Sequence, residues 1–213
     1  MATVLSPPEQ RVVLDNISWE MYESLLRAHR ERSVPRFTYD RGQLEIMSPS
    51  IAHEELKDTV ALLIHTLAEE MRINTRSFGS ATFRRADLQR GFEPGGCFYV
   101  QSATSIQGRT ELDLVVDPPP DLVIEIDLTS LSLPKFPIFA QLSGPEVWRA
   151  ARRQRHIFCL SGGQYIEHAE SSILPGVTAE VITRVVRESH TLDRLTWLRH
   201  VREWVRQRET RDA

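Results

Sequence analysis

The amino-acid sequence predicts a single mixed α/β domain, and three observations support this class. The chain has 213 residues, of which 41% are hydrophobic, so one core can bury roughly 70% of the surface that the unfolded chain exposes. Segments with helical periodicity alternate along the chain with short strand-like segments rich in Val, Ile, Phe and Tyr. The sequence contains no internal repeat, low-complexity tract or interdomain linker, so we expect one domain.

The first elements follow an N-terminal leader. Residues 1–16 have no sustained period and include a Pro-Pro pair, so we expect them to be a loose leader before a domain spanning 17–213. A Ser N-cap followed by apolar residues at helical spacing predicts a helix over 18–30. Strands are expected over 36–39 and 43–47, joined as a hairpin by a turn that contains glycine.

The strongest helical signal begins at His53 and runs to Met71, with apolar residues three and four positions apart. Strands are then expected between Gly and Pro clusters, and a short helix is expected to begin near a proline. The chain is expected to finish in an amphipathic helix over 191–208. The remaining predicted strands are 77–84, 97–102, 111–116, 121–127, 146–150, 155–160 and 164–169, and the short helix is 133–142.

Composition excludes several classes of protein. No apolar run reaches the roughly 20 residues that a membrane span needs, and the first twenty residues do not read as a signal peptide. Cys97 and Cys159 are the only cysteines and have no partner at metal-ligand spacing, so we expect buried thiols and no structural zinc. The sequence therefore predicts a cytoplasmic protein with no membrane attachment. The net charge of −3 gives no strong preference for or against nucleic acid.

Three carboxylates lie on one face of the predicted strand 121–127, because alternate side chains of a strand point the same way. Asp121 and Glu125 are about 13 Å apart along this strand, too far to share one magnesium ion, so Asp121 is the weakest candidate. Glu125 and Asp127 are about 7 Å apart and could share one cation. Two carboxylates on a buried strand repel each other, so a bound cation or a nearby ammonium group is expected to compensate their charge. The alternative is that they form a structural ion pair with arginine at the end of the strand.

Lys135 is the candidate ammonium group. Of the 26 basic residues 24 are Arg, and only Lys57 and Lys135 are Lys, so each lysine is conspicuous. Lys135 follows the carboxylate strand by eight residues, and a short turn could fold it over the strand end. It could there neutralise the carboxylates, orient water or stabilise charge on a phosphate; the alternative is a solvated surface lysine.

At these residues the sequence closely resembles the Uma2 family of restriction endonuclease homologues, which belongs to the PD-(D/E)xK nuclease superfamily. The resemblance covers roughly 17–170 and rests on 118–149 (PPPDLVIEIDLTSLSLPKFPIFAQLSGPEVWR), on 39–49 (YDRGQLEIMSP) and on His53-Glu54. It implies a restriction-endonuclease-like fold, with a central mixed β-sheet flanked by helices, and a magnesium site that hydrolyses phosphodiester bonds.

The resemblance also implies roles for particular residues. Glu125 matches the acidic residue of the (D/E)xK strand, and Asp127 stands where that motif has its lysine, so both are candidate metal ligands. Lys135 matches the lysine that this family supplies from the following helix. His53 and Glu54 match positions that border the site, and Glu45 is a less certain neighbour.

One motif position departs from the family. Related sequences have Glu-Pro-Asp just before the predicted strand 97–102, and that Asp is the first carboxylate ligand of the metal. In this chain the segment reads Glu93-Pro94-Gly95. Gly95 has no side chain with which to bind a metal, so we expect weakened magnesium binding and weak or absent catalysis. Glu93, Glu45 or Glu54 could replace the ligand in a working enzyme, with Glu93 requiring a rearranged turn.

The sequence therefore predicts a magnesium-dependent endonuclease fold, a hydrolase acting on nucleic acid and most simply on DNA, whose activity is weak or lost. The alternative is a non-catalytic module that uses the same cleft to bind nucleic acid or a protein. A stripe containing Trp197 and Trp204 could serve a homodimer or the domain's own core. The arginines of the last helix more simply form a solvated face than a nucleic-acid contact.

Overall fold

The computed structural model describes residues 9–30, 32–128, 133–142, 144–151 and 154–212. Within these ranges the chain forms eleven β-strands and five α-helices. In order they are β1 (Gln10–Leu14), α1 (Trp19–Ala28), β2 (Arg36–Asp40), β3 (Gln43–Ser48), α2 (Ile51–Glu70), β4 (Arg76–Gly79), β5 (Phe83–Arg85), β6 (Arg90–Phe92), β7 (Gly96–Tyr99), β8 (Leu122–Asp127), α3 (Phe136–Leu142), β9 (Glu146–Ala151), β10 (Gln154–Ser161), β11 (Gln164–His168), α4 (Ala179–Glu188) and α5 (Arg194–Asp212).

The strands form two sheets. A five-stranded antiparallel sheet has the order β1-β3-β2-β6-β5, and a six-stranded sheet has the order β11-β10-β9-β8-β7-β4. In the larger sheet β8 and β9 are parallel, with Glu125 opposite Arg149, whereas the other neighbours are antiparallel. A parallel pair needs a crossover connection, and α3 lies in this one. The mixed α/β class is therefore confirmed, with two sheets in place of one central sheet.

The six-stranded sheet is covered on both faces, and this explains why all six residues of β8 are buried. Ile124 and Ile126 point into the main core, which α2, α4 and α5 complete. Val123 points to the other face, into a second core formed by α3 and by aromatic residues of the five-stranded sheet. Helix α3 therefore packs between the two sheets, and the side chains of β8 that share the face of Val123 point into this interlayer.

The start of the chain differs from the sequence prediction. Residues 10–14 are not part of a loose leader but form β1, an edge strand whose five residues pair with β3. Its short run of Arg-Val-Val-Leu is too brief to distinguish a strand from a loop without its partner. The leader's residues 1–8 lie outside the described residues.

Other elements also depart from the predictions. The segment 111–116 forms turns, because Asp113 and Asp117 bond to backbone N–H groups nearby, and Val115 and Val116 are exposed. The segment 77–84 divides between β4 and β5, which belong to different sheets. The sequence analysis missed β6 and α4. Among the described residues, no helix combines the length and the apolar character needed to cross a membrane.

The C-terminal helix α5 packs in the chain's own core. Trp197 is buried, and its indole N–H donates to the Val185 carbonyl at 2.8 Å. Trp204 is partly buried against the same core. The tryptophan stripe therefore contributes to this domain, and a homodimer stays a prediction.

Candidate active site

A carboxylate and an ammonium meet in the interlayer at the end of β8. Glu125 shares a face with Val123 and points towards α3, while Lys135 immediately precedes α3 and accepts backbone hydrogen bonds from Ile138 and Phe139 at its carbonyl. These bonds fix Lys135 at the start of the helix. Its Nζ lies 2.5 Å from Glu125 Oε1, and the two residues are only 6% and 4% exposed. The structure thus places a buried ion pair where the sequence predicted Lys135 to fold back.

Glu45 approaches this pair from the five-stranded sheet. On β3, Leu44 packs against α1, so the neighbouring side chain of Glu45 points to the opposite face, towards β8. Glu45 is 1% exposed, and its Oε1 lies 3.9 Å from Lys135 Nζ. The less certain neighbour of the sequence analysis is therefore close to the centre of the cluster.

A second buried cation comes from β1. Arg11 donates to Glu45 Oε1 at 2.9 Å and to Glu9 Oε1 at 2.6 Å. Burial lowers the pKa of the Arg11 guanidinium, but the carboxylates of Glu45, Glu9 and, last, Glu125 raise it by more, so its pKa lies above the ordinary value. Arg11 therefore stays charged and compensates carboxylates from three strands or their flanks.

The start of α2 joins the cluster through Glu9. His53 is buried, with Nε2 3.8 Å from Glu9 Oε2 and Nδ1 3.3 Å from Glu54 Oε1. Glu54 also accepts from Arg36 at 2.6 Å and from Lys57 at 2.5 Å. The hydrogen bond from His53 and the positive charges of Lys57 and Arg36 hold the pKa of Glu54 at about 2 against the effect of burial. Glu54 is thus committed to an ion-pair network at the edge of the cluster.

Asp127 lies on the same face of β8 as Glu125 but bonds to a different cation. Its Oδ2 accepts from Arg149 on β9, whereas its buried Oδ1 has no hydrogen-bond partner among the described residues. Arg149 and Glu125 line a cavity of about 140 Å³ together with Lys135, Pro134 and Phe136. This space holds several water molecules or one small polar group.

Two other acidic candidates have structural roles. Asp121 Oδ2 accepts from the backbone N–H of Val100 and from both the N–H and the hydroxyl of Ser102, so it fastens the turn after β7. Glu93 accepts from the Phe37 N–H at 2.8 Å and from Thr82 Oγ1 at 2.6 Å, and burial raises the pKa of its carboxyl. Both bonds tie Glu93 to the five-stranded sheet, so the structure does not support it as a replacement ligand.

Gly95 lies beside β8, where its N–H donates to the Ile124 carbonyl at 2.9 Å. A Cβ added at Gly95 would be only 2.9 Å from that carbonyl oxygen and 3.4 Å from Ile126 Cγ1. Gly95 is not among the glycines with a positive φ. Any side chain here is therefore opposed by close packing against β8, not by an unusual backbone angle.

The donors do not fit a magnesium ion in this arrangement. Among the described residues, no group of three or more His, Cys, Asp or Glu side chains is arranged to hold a metal ion. Glu125 and Glu45 face the cations Lys135 and Arg11 at short distances, and Gly95 contributes no carboxylate. Magnesium is a hard cation that binds through oxygen ligands at about 2.1 Å, so the chain's own cations stand in competition with it.

The sequence analysis missed Glu9, Arg11 and the role of Arg149. Glu9 and Arg11 fall in the segment assigned to the leader, and their signal is a pair of opposite charges next to a short apolar run, which many surface segments share. Arg149 stands at the end of the quoted motif, but only the parallel register of β8 and β9 places it opposite Glu125.

The site is thus a buried Glu–Lys pair at the end of a sheet strand, on a mixed α/β scaffold with helices on both faces of the sheet. The model of the Uma2 family, described as "Putative restriction endonuclease", matches residues 19–186. The chain belongs to this family. Its fold is similar to the crystal structure of a "putative nuclease belonging to DUF820" from Anabaena variabilis ATCC 29413, with a TM-score of 0.55, 13% sequence identity, and coverage of 85% of this chain and 99% of that chain. No curated protein matches the sequence.

Proposed function

We propose that this protein is a nuclease-fold protein that binds the sugar-phosphate backbone of nucleic acid at the Glu125–Lys135 cleft, with weak or no hydrolysis of phosphodiester bonds. The observation that carries the proposal is the 2.5 Å contact between Lys135 Nζ and Glu125 Oε1 beside a cavity that also contains Arg149. Membership of the family and the nuclease-like fold support a nuclease function. DNA is the simplest substrate.

The residues of the cleft are suited to binding a phosphodiester and less suited to hydrolysing it rapidly. Arg149 and Lys135 would bind the two non-bridging oxygens of a phosphodiester, and Lys135 would stabilise the negative charge that develops on them. Glu125 would accept a proton from the attacking water. Lys135 can act on a phosphate only by loosening its contact with Glu125, and this competition favours slow hydrolysis.

Magnesium dependence is a separate part of the proposal. The donors described here do not fit the ion, because two cations of the chain lie against the carboxylates and Gly95 supplies none. Asp127 Oδ1 is a buried carboxylate oxygen in the cleft without a hydrogen-bond partner among the described residues. We therefore expect magnesium to bind weakly, with little effect on the thermal stability of the protein at millimolar concentration.

A second function has specific support. Arg11 and Lys135 compensate the charges of Glu45 and Glu125, so this cluster needs no metal ion. Such a cluster is expected in a cleft that binds a ligand without cleaving it. In this case the protein is a non-catalytic nucleic-acid-binding module built on a nuclease fold. Cleavage distinguishes the two functions, whereas binding does not.

The experiment compares the wild type with Glu125→Gln and with Glu203→Gln, a control that neutralises an exposed carboxylate on α5. Supercoiled plasmid, single-stranded DNA and single-stranded RNA are incubated with and without magnesium to measure cleavage. Gel-shift assays on the same substrates measure nucleic-acid binding, and calorimetry measures magnesium binding. Slow cleavage that Glu125→Gln abolishes and Glu203→Gln preserves supports the nuclease. Binding of any substrate without cleavage supports the non-catalytic module. Absence of both binding and cleavage refutes the proposal.

A further inference from the structure

A second cavity lies at the start of β10, mostly on the face of the six-stranded sheet opposite the candidate active site, and contains an unusual cation. It has a volume of about 380 Å³, within the range of ligand-binding clefts, and lies between the start of β10 and helix α4. Arg155 lines it and is only 9% exposed. The cavity is not used by the mechanism above, and neither the family match nor the fold assigns it a role.

Arg155 is buried, and it has no carboxylate partner within the part of the chain that the structure describes. Its Nη1 donates to the carbonyls of Ala151 and Gln154, both at 3.0 Å, and no carboxylate of the described residues lies within ion-pair distance of the guanidinium. Its Nε is buried and has no hydrogen-bond partner among those residues. Burial lowers the pKa of Arg155, with no opposing attraction from an acid. A buried charge of this kind is costly unless a bound anion compensates it.

The wall of the cavity contributes more positive charge. Arg184 and Arg187 on α4 both line it; Arg187 has no ion pair within the described part of the chain, and Arg184 has only a 3.9 Å contact with Glu188. Two carboxylates also line the cavity. Glu167 is bonded to His156 Nδ1 at 2.6 Å, and Glu180 lies exposed on the first turn of α4. Neither carboxylate reaches Arg155.

The register of the sheet connects this cavity to the active-site cavity. Arg149 lines the active-site cavity, and its directly opposite partner on β10, His156, lines the second cavity. His156 therefore shares the sheet face of Arg149, whereas Arg155, opposite Ala150, and helix α4 lie on the other face. The second cavity has lining residues from both faces because residues 154–156 of β10 extend beyond the last residue of β11 that pairs with it. A nucleic-acid strand that leaves the Glu125–Lys135 cleft past Arg149 and His156 would turn around this edge of the sheet to reach the arginines of the second cavity.

We propose that this second cavity binds a backbone phosphate of a nucleic-acid strand whose neighbouring segment occupies the Glu125–Lys135 cleft. This inference rests on the proposed function and extends it, because it places the flanking strand along β9, β10 and α4. Arg155 supplies the buried, uncompensated charge, and Arg184 and Arg187 contact the phosphate from the solvent side. Arginine suits this role because its planar fork matches phosphate oxygens.

The test measures binding of a fluorescently labelled single-stranded oligodeoxynucleotide by anisotropy over a range of salt concentrations. The double variant Arg184→Gln/Arg187→Gln changes two exposed side chains, so it is expected to fold. Arg194→Gln/Arg199→Gln, which changes two exposed arginines on α5, is the control for net charge. We expect about tenfold weaker binding of the double variant at low salt and a salt slope reduced by about 0.7 for each lost phosphate contact. The control should lower affinity far less.

A second arm identifies the anion. Thermal melting in inorganic phosphate is compared with melting in chloride at equal ionic strength, for the wild type, the double variant, Arg155→Met and the α5 control. A phosphate-dependent rise in Tm that only the wild type and the control show supports an anion site in this cavity. The same rise together with unchanged oligonucleotide binding in the double variant overturns the nucleic-acid assignment, leaving a small-anion site.

The outcomes separate this inference from the proposed function. Oligonucleotide binding by the double variant equal to that of the control overturns the inference, and Glu125-dependent cleavage in the same protein would leave the proposed function standing. Conversely, loss of binding in the double variant with no cleavage by the wild type supports the inference and the non-catalytic module. A wild type that binds neither the oligonucleotide nor phosphate refutes both.

Discussion

Replacing Lys135 by Met removes the ammonium but keeps most of the aliphatic volume beside Glu125. Glu125 is 4% exposed and would then be buried without its 2.5 Å partner. Breaking a buried ion pair from one side typically costs 3–5 kcal/mol, because the remaining charge is left uncompensated. Arg11 still attracts Glu125, as its raised pKa shows, so we expect the lower end, a loss of about 3 kcal/mol.

The double variant Glu125→Gln/Lys135→Met separates the pair's net contribution from the penalty of an unpaired charge. Since replacing both partners of a buried ion pair is often neutral or stabilising, we expect it to lie within about 1 kcal/mol of the wild type. The matched control is the other lysine. Lys57 pairs with Glu54 at 2.5 Å, but the Glu54 side chain is 35% exposed, so Lys57→Met should cost at most about 1 kcal/mol.

Urea unfolding at pH 7, followed by circular dichroism, measures these differences. With a slope of about 2–3 kcal/mol/M, a loss of 3 kcal/mol lowers the midpoint by about 1–1.5 M. The slope should be the same for all variants, because each exposes nearly the same additional surface when it unfolds. A Lys135→Met variant as stable as Lys57→Met would refute the reasoning, since Glu125 would then not be a buried charge that depends on Lys135.

Three further predictions concern other residues. Gly95→Ala should lose about 1–3 kcal/mol, because its Cβ would meet a backbone carbonyl at 2.9 Å, whereas Gly96→Ala meets only a side-chain methyl at 3.3 Å and should lose less; urea unfolding of both variants checks the order. Glu54 has a pKa of about 2 in the folded protein against 4.5 for the free side chain, so its stabilisation is present above pH 4.5 and is lost as the pH falls towards 2. In Glu54→Gln the fall in unfolding free energy between pH 4.5 and pH 2 should be smaller than in the wild type by about 1 kcal/mol, after allowance for solvent screening. Equal falls in the wild type and in Glu54→Gln would contradict the lowered pKa of Glu54. Burial raises the pKa of Cys97 to about 12, so stability should fall as the pH rises above 9, where the unfolded thiol ionises, and a thiol reagent at pH 8 should modify Cys97 only as fast as the protein unfolds.

The sequence predicted the local part of the fold well. Periodicity located α2 within two residues at its start and the β2–β3 hairpin within one residue, because these elements depend on neighbouring residues. It failed where long-range pairing decides the structure. Strand β1 exists because β3, 34 residues beyond Arg11, offers it an edge, and nothing in residues 10–14 alone encodes that partner.

The candidate site follows the same division. The pairing of Glu125 with Lys135 could be predicted because both lie on one short β8–α3 connection. The ion pair of Asp127 with Arg149 could not, since only the parallel register of β8 and β9 brings Arg149, which stands opposite Glu125, within reach of Asp127. At Gly95 the missing carboxylate is visible in the sequence, but the obstacle to restoring one is a contact with the Ile124 carbonyl, which only the packed strands reveal.

The position of Arg11 on an edge strand affects how the protein folds during synthesis. Its partner Glu45 follows 34 residues later, but the remaining groups of the cluster, Glu125 and Lys135, are made roughly a hundred residues after Arg11. At a synthesis rate of 5–20 residues per second, β1 is made on the order of ten seconds before Glu125 and Lys135, so the complete ion-pair cluster cannot form during that time. During that interval Glu45 has Arg11 but not Lys135 beside it, and the apolar residues of the five-stranded sheet that pack against α3 are not yet covered. Nascent chains that stop before β8 should therefore be more prone to aggregate than chains that extend past α3.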